Sequence, residues 1–130
     1  MSTPPCYCGS GLAFSSCCEL FLNKTSYPET AEQLMRSRYS AFVLSNESYL
    51  RQTWAKKQCP KDIHLDKDSQ WLGLKIISTS FGEAHNDIGF VQFVARYKIA
   101  GKAHRIKENS EFCKEGGHWV YLKACKKNDK

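Results

Sequence analysis

Residues 103–114 read Ala-His-Arg-Ile-Lys-Glu-Asn-Ser-Glu-Phe-Cys-Lys, and two sets of side chains alternate along them. The first set consists of His104, Ile106, Glu108, Ser110 and Phe112. The residues between them are mostly charged, and a period of two is typical of a β-strand with one face toward water. The inner face of this strand therefore mixes apolar residues with a histidine, a carboxylate and a hydroxyl.

Three more segments have the composition of strands, and they flank this one in the chain. Residues 71–81, 88–99 and 118–124 are rich in aromatic and β-branched residues. Turn signals separate neighbouring segments at Ala100-Gly101-Lys102 and at Gly116-Gly117. The pattern predicts a four-stranded antiparallel meander.

Helical spacing replaces the strand period earlier in the chain. Thr30 and Gln33 form a capping box, in which the Gln33 side chain is expected to return to Thr30. The positions that recur on one face of the helix are Ala31, Leu34, Met35, Arg38, Phe42 and Val43. Asn46 is the predicted N-cap of a second helix that carries Tyr49, Leu50 and Trp54 and ends before Cys59-Pro60. Two helices followed by a sheet predict an α+β fold in which the sheet curls over the helices.

Four of the seven cysteines crowd into residues 6–18, which read Cys-Tyr-Cys-Gly-Ser-Gly-Leu-Ala-Phe-Ser-Ser-Cys-Cys. Zinc takes four thiolates tetrahedrally, and a cysteine pair on each side of a Gly-Ser-Gly turn can supply them. The predicted ligands are Cys6, Cys8, Cys17 and Cys18, with Ser10 as a hydroxyl donor beside the sulfurs. Four thiolates leave no position for a catalytic water, so the expected zinc ion is structural.

The alternative for this segment is a set of free or disulfide-bonded cysteines. Adjacent Cys17 and Cys18 cannot bridge each other without strain, and an odd cysteine count argues against a fully paired framework. A segment of this length has too little apolar surface to order itself, so the metal would supply its folding free energy. The later segments have their own apolar core, which predicts that loss of zinc disorders residues 1–20 and leaves the rest folded.

The cysteine string resembles the SEC-C motif, the small zinc knuckle at the C-terminal end of the SecA translocation ATPase. That resemblance implies zinc binding, and in SecA the motif docks to SecB and to lipid. Residues 30–43, with Glu108-x-Ser110-x-Phe112, look like the YchJ family of bacterial proteins. That family joins a SEC-C knuckle to a domain resembling the nuclear transport factor 2-like fold.

The expected organisation is a knuckle at 1–25, a nuclear transport factor 2-like domain at 26–125 and a basic tail at 126–130. The chain departs from the resemblance at two positions. Tyr7 stands where the motif usually has proline, and Lys107 stands where many YchJ-like proteins have histidine. Any chemistry that rests on that histidine is absent here.

A curved sheet covered by helices tends to enclose a pocket, and Glu108 is the candidate group inside it. The predicted pocket residues are Glu108, Ser110, His104, Arg96, Tyr97 and Trp54. One interpretation is acid-base chemistry or ligand binding by Glu108 or His104. The other is a satisfied polar network that fixes the strand register, for example a buried pair between Glu108 and Arg96. The sequence assigns no catalytic residue.

Composition narrows the function classes. The chain has 130 residues, 42% hydrophobic content and a formal net charge of +6. No apolar stretch reaches the ~20 residues that a spanning helix needs, and reduced cysteines favour the cytoplasm. The expected function is a zinc-binding module for a protein partner. The alternatives are a small-molecule binder or enzyme that uses the Glu108 pocket, and nucleic-acid binding through the knuckle and the basic tail, which the modest charge disfavours.

Overall fold

The computed structural model describes residues 4–63, 65 and 68–125, so the basic tail at 126–130 lies outside the described residues. A short 3-10 helix at Phe14–Ser16 precedes three α-helices and four strands. The elements are α1 (Cys18–Leu22), α2 (Ala31–Val43), α3 (Glu47–Gln52), β1 (Ser69–Phe81), β2 (Ile88–Ile99), β3 (Lys102–Glu115) and β4 (His118–Cys125). The strands form one antiparallel sheet in the order β1-β2-β3-β4, which confirms the α+β class and the meander.

Two hairpin turns lie where the turn signals predicted them. Ala100 and Gly101 have φ angles of 51° and 81°, and Gly116 and Gly117 have φ angles of 60° and 84°. Two consecutive residues with positive φ form the tight turn whose twist matches that of the flanking strands. These turns hold β2, β3 and β4 in one continuous meander.

The helix starts follow the sequence, with one difference in the capping box. The Thr30 hydroxyl accepts a hydrogen bond from the Gln33 amide at 3.1 Å. The Gln33 side chain, however, accepts from the Glu29 amide at 2.7 Å and does not return to Thr30. Asn46 caps α3 as predicted, because its side chain accepts from the Tyr49 amide at 3.0 Å.

Two other segments differ from the prediction. The composition of residues 19–26 predicts a short connector, but the first residues of this stretch belong to the short helix α1. Helix α3 ends at Gln52, well before Cys59, because the backbone that follows it pairs with β4. The Ala55 amide donates to the Tyr121 carbonyl at 2.8 Å, and the Tyr121 amide donates to the Thr53 carbonyl at 2.7 Å. This pairing carries Trp54 out of the helix and toward the sheet.

Helix α2 lies on the inner face of the sheet, and a close approach fixes its first turn. The Ala31 amide donates to the Gly82 carbonyl at 2.9 Å. A Cβ atom on Gly89 would lie 2.4 Å from the Gly82 Cα atom and 3.0 Å from the Ala31 Cβ atom. Glycine at both positions therefore allows α2 to contact the β1–β2 turn directly.

The main core joins α2 and the sheet to the N-terminal cysteines. Its buried members include Leu34 and Met35 of α2, together with Val91, Phe93 and Phe112 of the sheet. The four clustered cysteines belong to the same core. Within the described part of the chain, no helix combines the length and apolar character needed to cross a membrane.

Candidate functional site

The four predicted zinc ligands converge on one buried point. The sulfur atoms of Cys6, Cys8, Cys17 and Cys18 all lie within 4.8 Å of one another, and all four residues are buried. The chain turns between the two cysteine pairs, where the Cys6 amide donates to the Leu12 carbonyl at 2.8 Å. None of the seven cysteines forms a disulfide. The spacing seen in the sequence therefore becomes a compact set of four thiol ligands.

The separations between these sulfurs suit a tetrahedral metal ion. With metal–sulfur bonds of about 2.3 Å, the edge of a ZnS₄ tetrahedron is about 3.8 Å. The Cys8 and Cys17 sulfurs are 3.7 Å apart, and the Cys17 and Cys18 sulfurs are 4.0 Å apart. The geometry of the cluster and the chemistry of its donors therefore fit a metal site.

Polar groups from the knuckle and from α2 surround the sulfurs. The Ser10 hydroxyl lies 3.2 Å from the Cys17 sulfur, and the Ser40 hydroxyl lies 3.7 Å from the Cys6 sulfur. Arg36 donates from Nη1 to the Cys8 carbonyl at 2.7 Å and lies 3.9 Å from the Cys8 sulfur. A guanidinium and two hydroxyls next to thiolates reduce the electrostatic cost of burying their negative charge.

Hydrogen bonds between the thiols and burial shift the pKa values of the clustered cysteines in different directions. Hydrogen bonding from the Cys18 thiol lowers the pKa of Cys8, and the same contact together with burial raises the pKa of Cys18. Burial also raises the pKa of Cys17. Of Cys8, Cys17 and Cys18, Cys8 is therefore the one with the lowered pKa.

The knuckle is docked on the sheet as well as on α2. Gly9 has a φ angle of +79°, and a Cβ atom there would lie 3.0 Å from the carbonyl oxygen of Leu74 in β1. Gly11 also has a positive φ, of +87°, but a Cβ atom there would meet nothing within 4 Å. The glycine loop thus turns the chain at both positions and contacts β1 at one of them.

A second candidate site is a cavity between α2 and the inner face of the sheet, with a volume of about 250 Å³. Glu108, Ser110 and Trp54, all predicted pocket residues, lie on its wall. Aromatic side chains form most of the rest of the wall: Tyr39, Phe42, Trp71, Phe93 and Tyr121. The cavity is therefore largely apolar, with few polar groups.

Glu108 is held in place by two hydroxyls, one from its own strand and one from β4. Ser110 donates to Glu108 Oε2 at 2.5 Å, and the Tyr121 hydroxyl donates to the same oxygen at 3.2 Å. The expected pair with Arg96 does not form. The β2–β3 register places Glu108 opposite Phe93, and Arg96 opposite Arg105, with the Arg96 side chain exposed.

The remaining two predicted pocket residues lie near the end of the β2–β3 hairpin. Tyr97 and His104 stack on each other with ring centroids 5.2 Å apart. Tyr97 also contacts Trp71 at a centroid distance of 5.4 Å, so this stack borders the cavity without lining it.

The charged residue that the sequence interpretation missed in the cavity is Arg38 of α2. Its guanidinium carbon lies 5.0 Å from the centre of the Trp54 ring and 4.8 Å from that of Tyr121. The signal was present, because Arg38 occupies an apolar position of the α2 pattern. Arg36 and Ser40, which touch the cysteine cluster, gave no comparable signal, because their contacts depend on how α2 packs.

Taken together, the fold and the cysteine cluster define a nuclear transport factor 2-like domain preceded by a SEC-C-type knuckle. Comparison with known families gives the same result, because the family described as "YchJ, middle NTF2-like domain" matches residues 30–124. A "UPF0225 protein" of Cupriavidus metallidurans is 45% identical over 124 residues, covering 91% of this chain and 86% of the relative. A "UPF0225 protein" of Streptomyces coelicolor is 43% identical over 121 residues, covering 93% and 94%. The chain belongs to the YchJ-like family.

Two solved structures share the architecture over almost the whole chain. The solution structure of a SEC-C motif containing protein from Rhodopseudomonas palustris has a TM-score of 0.85 at 28% identity, and the match covers 98% of this chain and 100% of that chain. The crystal structure of a SEC-C motif containing protein from Psychrobacter arcticus has a TM-score of 0.75 at 24% identity, covering 99% and 86%. The second likeness concerns the fold alone.

Proposed function

We propose that this protein binds one structural zinc ion through Cys6, Cys8, Cys17 and Cys18, and that the zinc knuckle presents a surface to a protein partner. The observation that carries the metal assignment is the convergence of four buried sulfurs within 4.8 Å. Soft thiolate ligands favour zinc over magnesium or calcium, and a tetrahedral four-thiolate set leaves no open position. Such ligands persist in a reducing compartment, which favours the cytoplasm.

Exposed apolar residues on the knuckle support the role in protein binding. Tyr7 and Leu12 expose 43% and 54% of their surface, although buried cysteines hold the loop that carries them. A cleft of about 430 Å³ lies beside Leu12, with Phe21 and Tyr27 among its lining residues. Apolar side chains on a rigid frame next to a cleft lose little conformational entropy on binding, which suits a protein interface.

Site-specific crosslinking tests the interaction surface directly. A photo-reactive amino acid in place of Leu12 should crosslink one defined protein in cells, and the product should be lost when Cys17 is changed to serine. The matched control is the same replacement at Leu72 of β1, which is 44% exposed and lies outside the knuckle. Equal products from positions 12 and 72, or none from position 12, would refute the interaction role and leave the zinc site standing.

A second candidate function rests on a separate observation. The cavity holds an acidic and a basic side chain, Glu108 and Arg38, that do not form an ion pair with each other. An aromatic cavity with a few polar groups that face inward is typical of small-molecule binding. The cavity is therefore a candidate ligand site, with no reaction assigned to it.

A further inference from the structure

Arg38 is a buried cation whose contacts are all with neutral groups. It is 4% exposed, and Nη1 makes all of its hydrogen bonds, to the Leu50 carbonyl at 2.9 Å and to the carbonyl and hydroxyl of Thr53 at 3.1 and 2.8 Å. No carboxylate in the described part of the chain lies within 4.0 Å of its guanidinium. Burial lowers its pKa to about 10, so it stays charged at neutral pH.

Two nitrogens of this guanidinium remain available to a ligand. Nε and Nη2 of Arg38 donate to none of the described groups. They are not sealed off either, because every fully buried side-chain nitrogen or oxygen among the described residues has a partner. Since Arg38 lines the cavity and is otherwise buried, these nitrogens face the cavity.

Glu108 presents the complementary atom. Its Oε2 accepts from Ser110 and Tyr121, whereas Oε1 has no described hydrogen-bond partner and is likewise accessible. Tyr121 lies between the two charges, with its ring face against Arg38 and its hydroxyl on Glu108. The cavity thus offers a donor pair and an acceptor on either side of one phenol ring.

Charge balance and shape decide which ligand fits. The two charges on the wall cancel, so an anion is attracted by Arg38 but repelled by Glu108, and a cation meets the reverse. A neutral group that carries both a carbonyl oxygen and an N–H satisfies both side chains. Aromatic walls and a volume of about 250 Å³ suit a planar molecule of one or two rings.

We propose that this cavity binds a small aromatic carboxamide or lactam, with its carbonyl oxygen accepting from Arg38 and its N–H donating to Glu108. This inference rests on the second proposed function, that the cavity is a ligand site. Trp54 and Trp71 line the cavity and are therefore the aromatic residues that a bound ring would contact.

The three tryptophans make the test specific. Trp54 and Trp71 line the cavity, whereas Trp119 does not and donates its indole N–H to the Glu29 carbonyl at 3.0 Å. We would titrate the full-length zinc protein with benzamide, benzoate, benzamidine and toluene, and follow the three indole N–H signals by NMR. Benzamide should shift the Trp54 and Trp71 signals, leave Trp119 unmoved, and bind at least about tenfold more tightly than the other three probes.

A substitution at Glu108 tests the role of its charge in ligand choice. It leaves Arg38 and its structural hydrogen bonds in place. Glu108→Gln removes the negative charge and offers an amide that can donate, so benzoate should gain about tenfold relative to benzamide. Glu111→Gln is the matched control, because Glu111 lies on the opposite face of the same strand. It should leave the order of the probes unchanged.

Each other outcome overturns a different statement. Equal binding of toluene and benzamide at Trp54 and Trp71 would overturn the carboxamide assignment and keep the cavity as a binding site. Equal or tighter binding of benzoate or benzamidine would also overturn that assignment. Failure of all four probes to move these two signals would overturn both the assignment and the ligand-site function.

Discussion

The cysteine cluster and the aromatic cavity lie on either side of α2. They differ in whether their buried polar groups have hydrogen-bond partners within the protein. At the cluster, Arg36 and Ser40 of α2 contact the cysteines, and the polar atoms are directed at one another. At the cavity, Arg38 of the same helix keeps two donor nitrogens without a described partner. At the first site the polar side chains contact one another, whereas at the second the guanidinium keeps donors without a partner among the described residues.

This difference separates a structural role from a binding role. A cluster whose ligands are all buried protein groups contributes to folding, and its loss is expected to lower the stability of the fold. A cavity with unsatisfied groups of opposite charge sacrifices some stability, and its effects are expected in binding. Four experiments, from the largest effect to the smallest, test where that distinction holds.

Removal of zinc should have the largest effect. Structural zinc contributes about 10 kcal/mol in small zinc domains, comparable to the whole stability of a domain this size. The cysteines share one core with Leu34 and Val91, so chelation should perturb α2 and β2 as well as the knuckle. Amide NMR spectra recorded with and without a chelator measure this. Changes confined to residues 4–22 would show instead that the rest of the chain folds without zinc, as the sequence pattern predicts.

Loss of one ligand should come next. Cys17→Ser should weaken zinc binding by more than about a hundredfold, because a hydroxyl is a far poorer zinc ligand than a thiolate. Cys113→Ser is the control, because Cys113 lies in β3 and outside the cluster. Competition with a chromophoric chelator measures both affinities. Equal affinities in the two variants would remove Cys17 from the ligand set.

Glu108 should have an intermediate effect on stability that depends on the replacement. Glu108→Leu leaves the hydroxyls of Ser110 and Tyr121 without their acceptor and should cost about 1–3 kcal/mol. Glu108→Gln keeps an acceptor and should cost less than about 1 kcal/mol. Urea unfolding of both variants gives the comparison. A larger loss for glutamine than for leucine would contradict this hydrogen-bond network.

The contact between the knuckle and the sheet should give the smallest difference. Gly9→Ala and Gly11→Ala both place a side chain at positive φ, which costs about 1–2 kcal/mol. Only Gly9→Ala also brings a Cβ atom 3.0 Å from the Leu74 carbonyl, which should add about 1 kcal/mol. Thermal unfolding of the two zinc-loaded variants measures the difference. Identical midpoints would mean that the loop can shift away from β1 at no cost.

Local patterns predicted most of the fold. The four strand segments, the two turns and the N-caps at Thr30 and Asn46 agree with the structure, because hydrophobic periodicity, turn residues and capping side chains act over a few residues. The prediction that α3 includes Trp54 was wrong, because the helix ends at Gln52. Its termination depends on pairing between Thr53, Ala55 and Tyr121, which are distant in the chain.

The residues at each site also divide into those that local patterns predict and those that depend on pairing between distant parts of the chain. The four cysteines lie within thirteen residues of one another, so their cluster could be predicted from the sequence. The alternation in β3 likewise placed Glu108 and Ser110 on one face. The pair between Glu108 and Arg96 that the alternation allowed does not form, because the register of β2 and β3 places Phe93 opposite Glu108 and Arg105 opposite Arg96. The role of Tyr121 likewise depends on the pairing of β4 with β3.

The sequence by itself determined the α+β class, the crowding of four cysteines and the inner face of β3, because each depends on the spacing of residues a few positions apart. Only the tertiary structure decided that the cluster and the cavity lie on either side of α2 and that Arg38 and Glu108 line the same cavity. Helix packing sets those contacts, which join residues far apart in sequence. Local sequence patterns do not determine the angle at which a helix packs on a sheet.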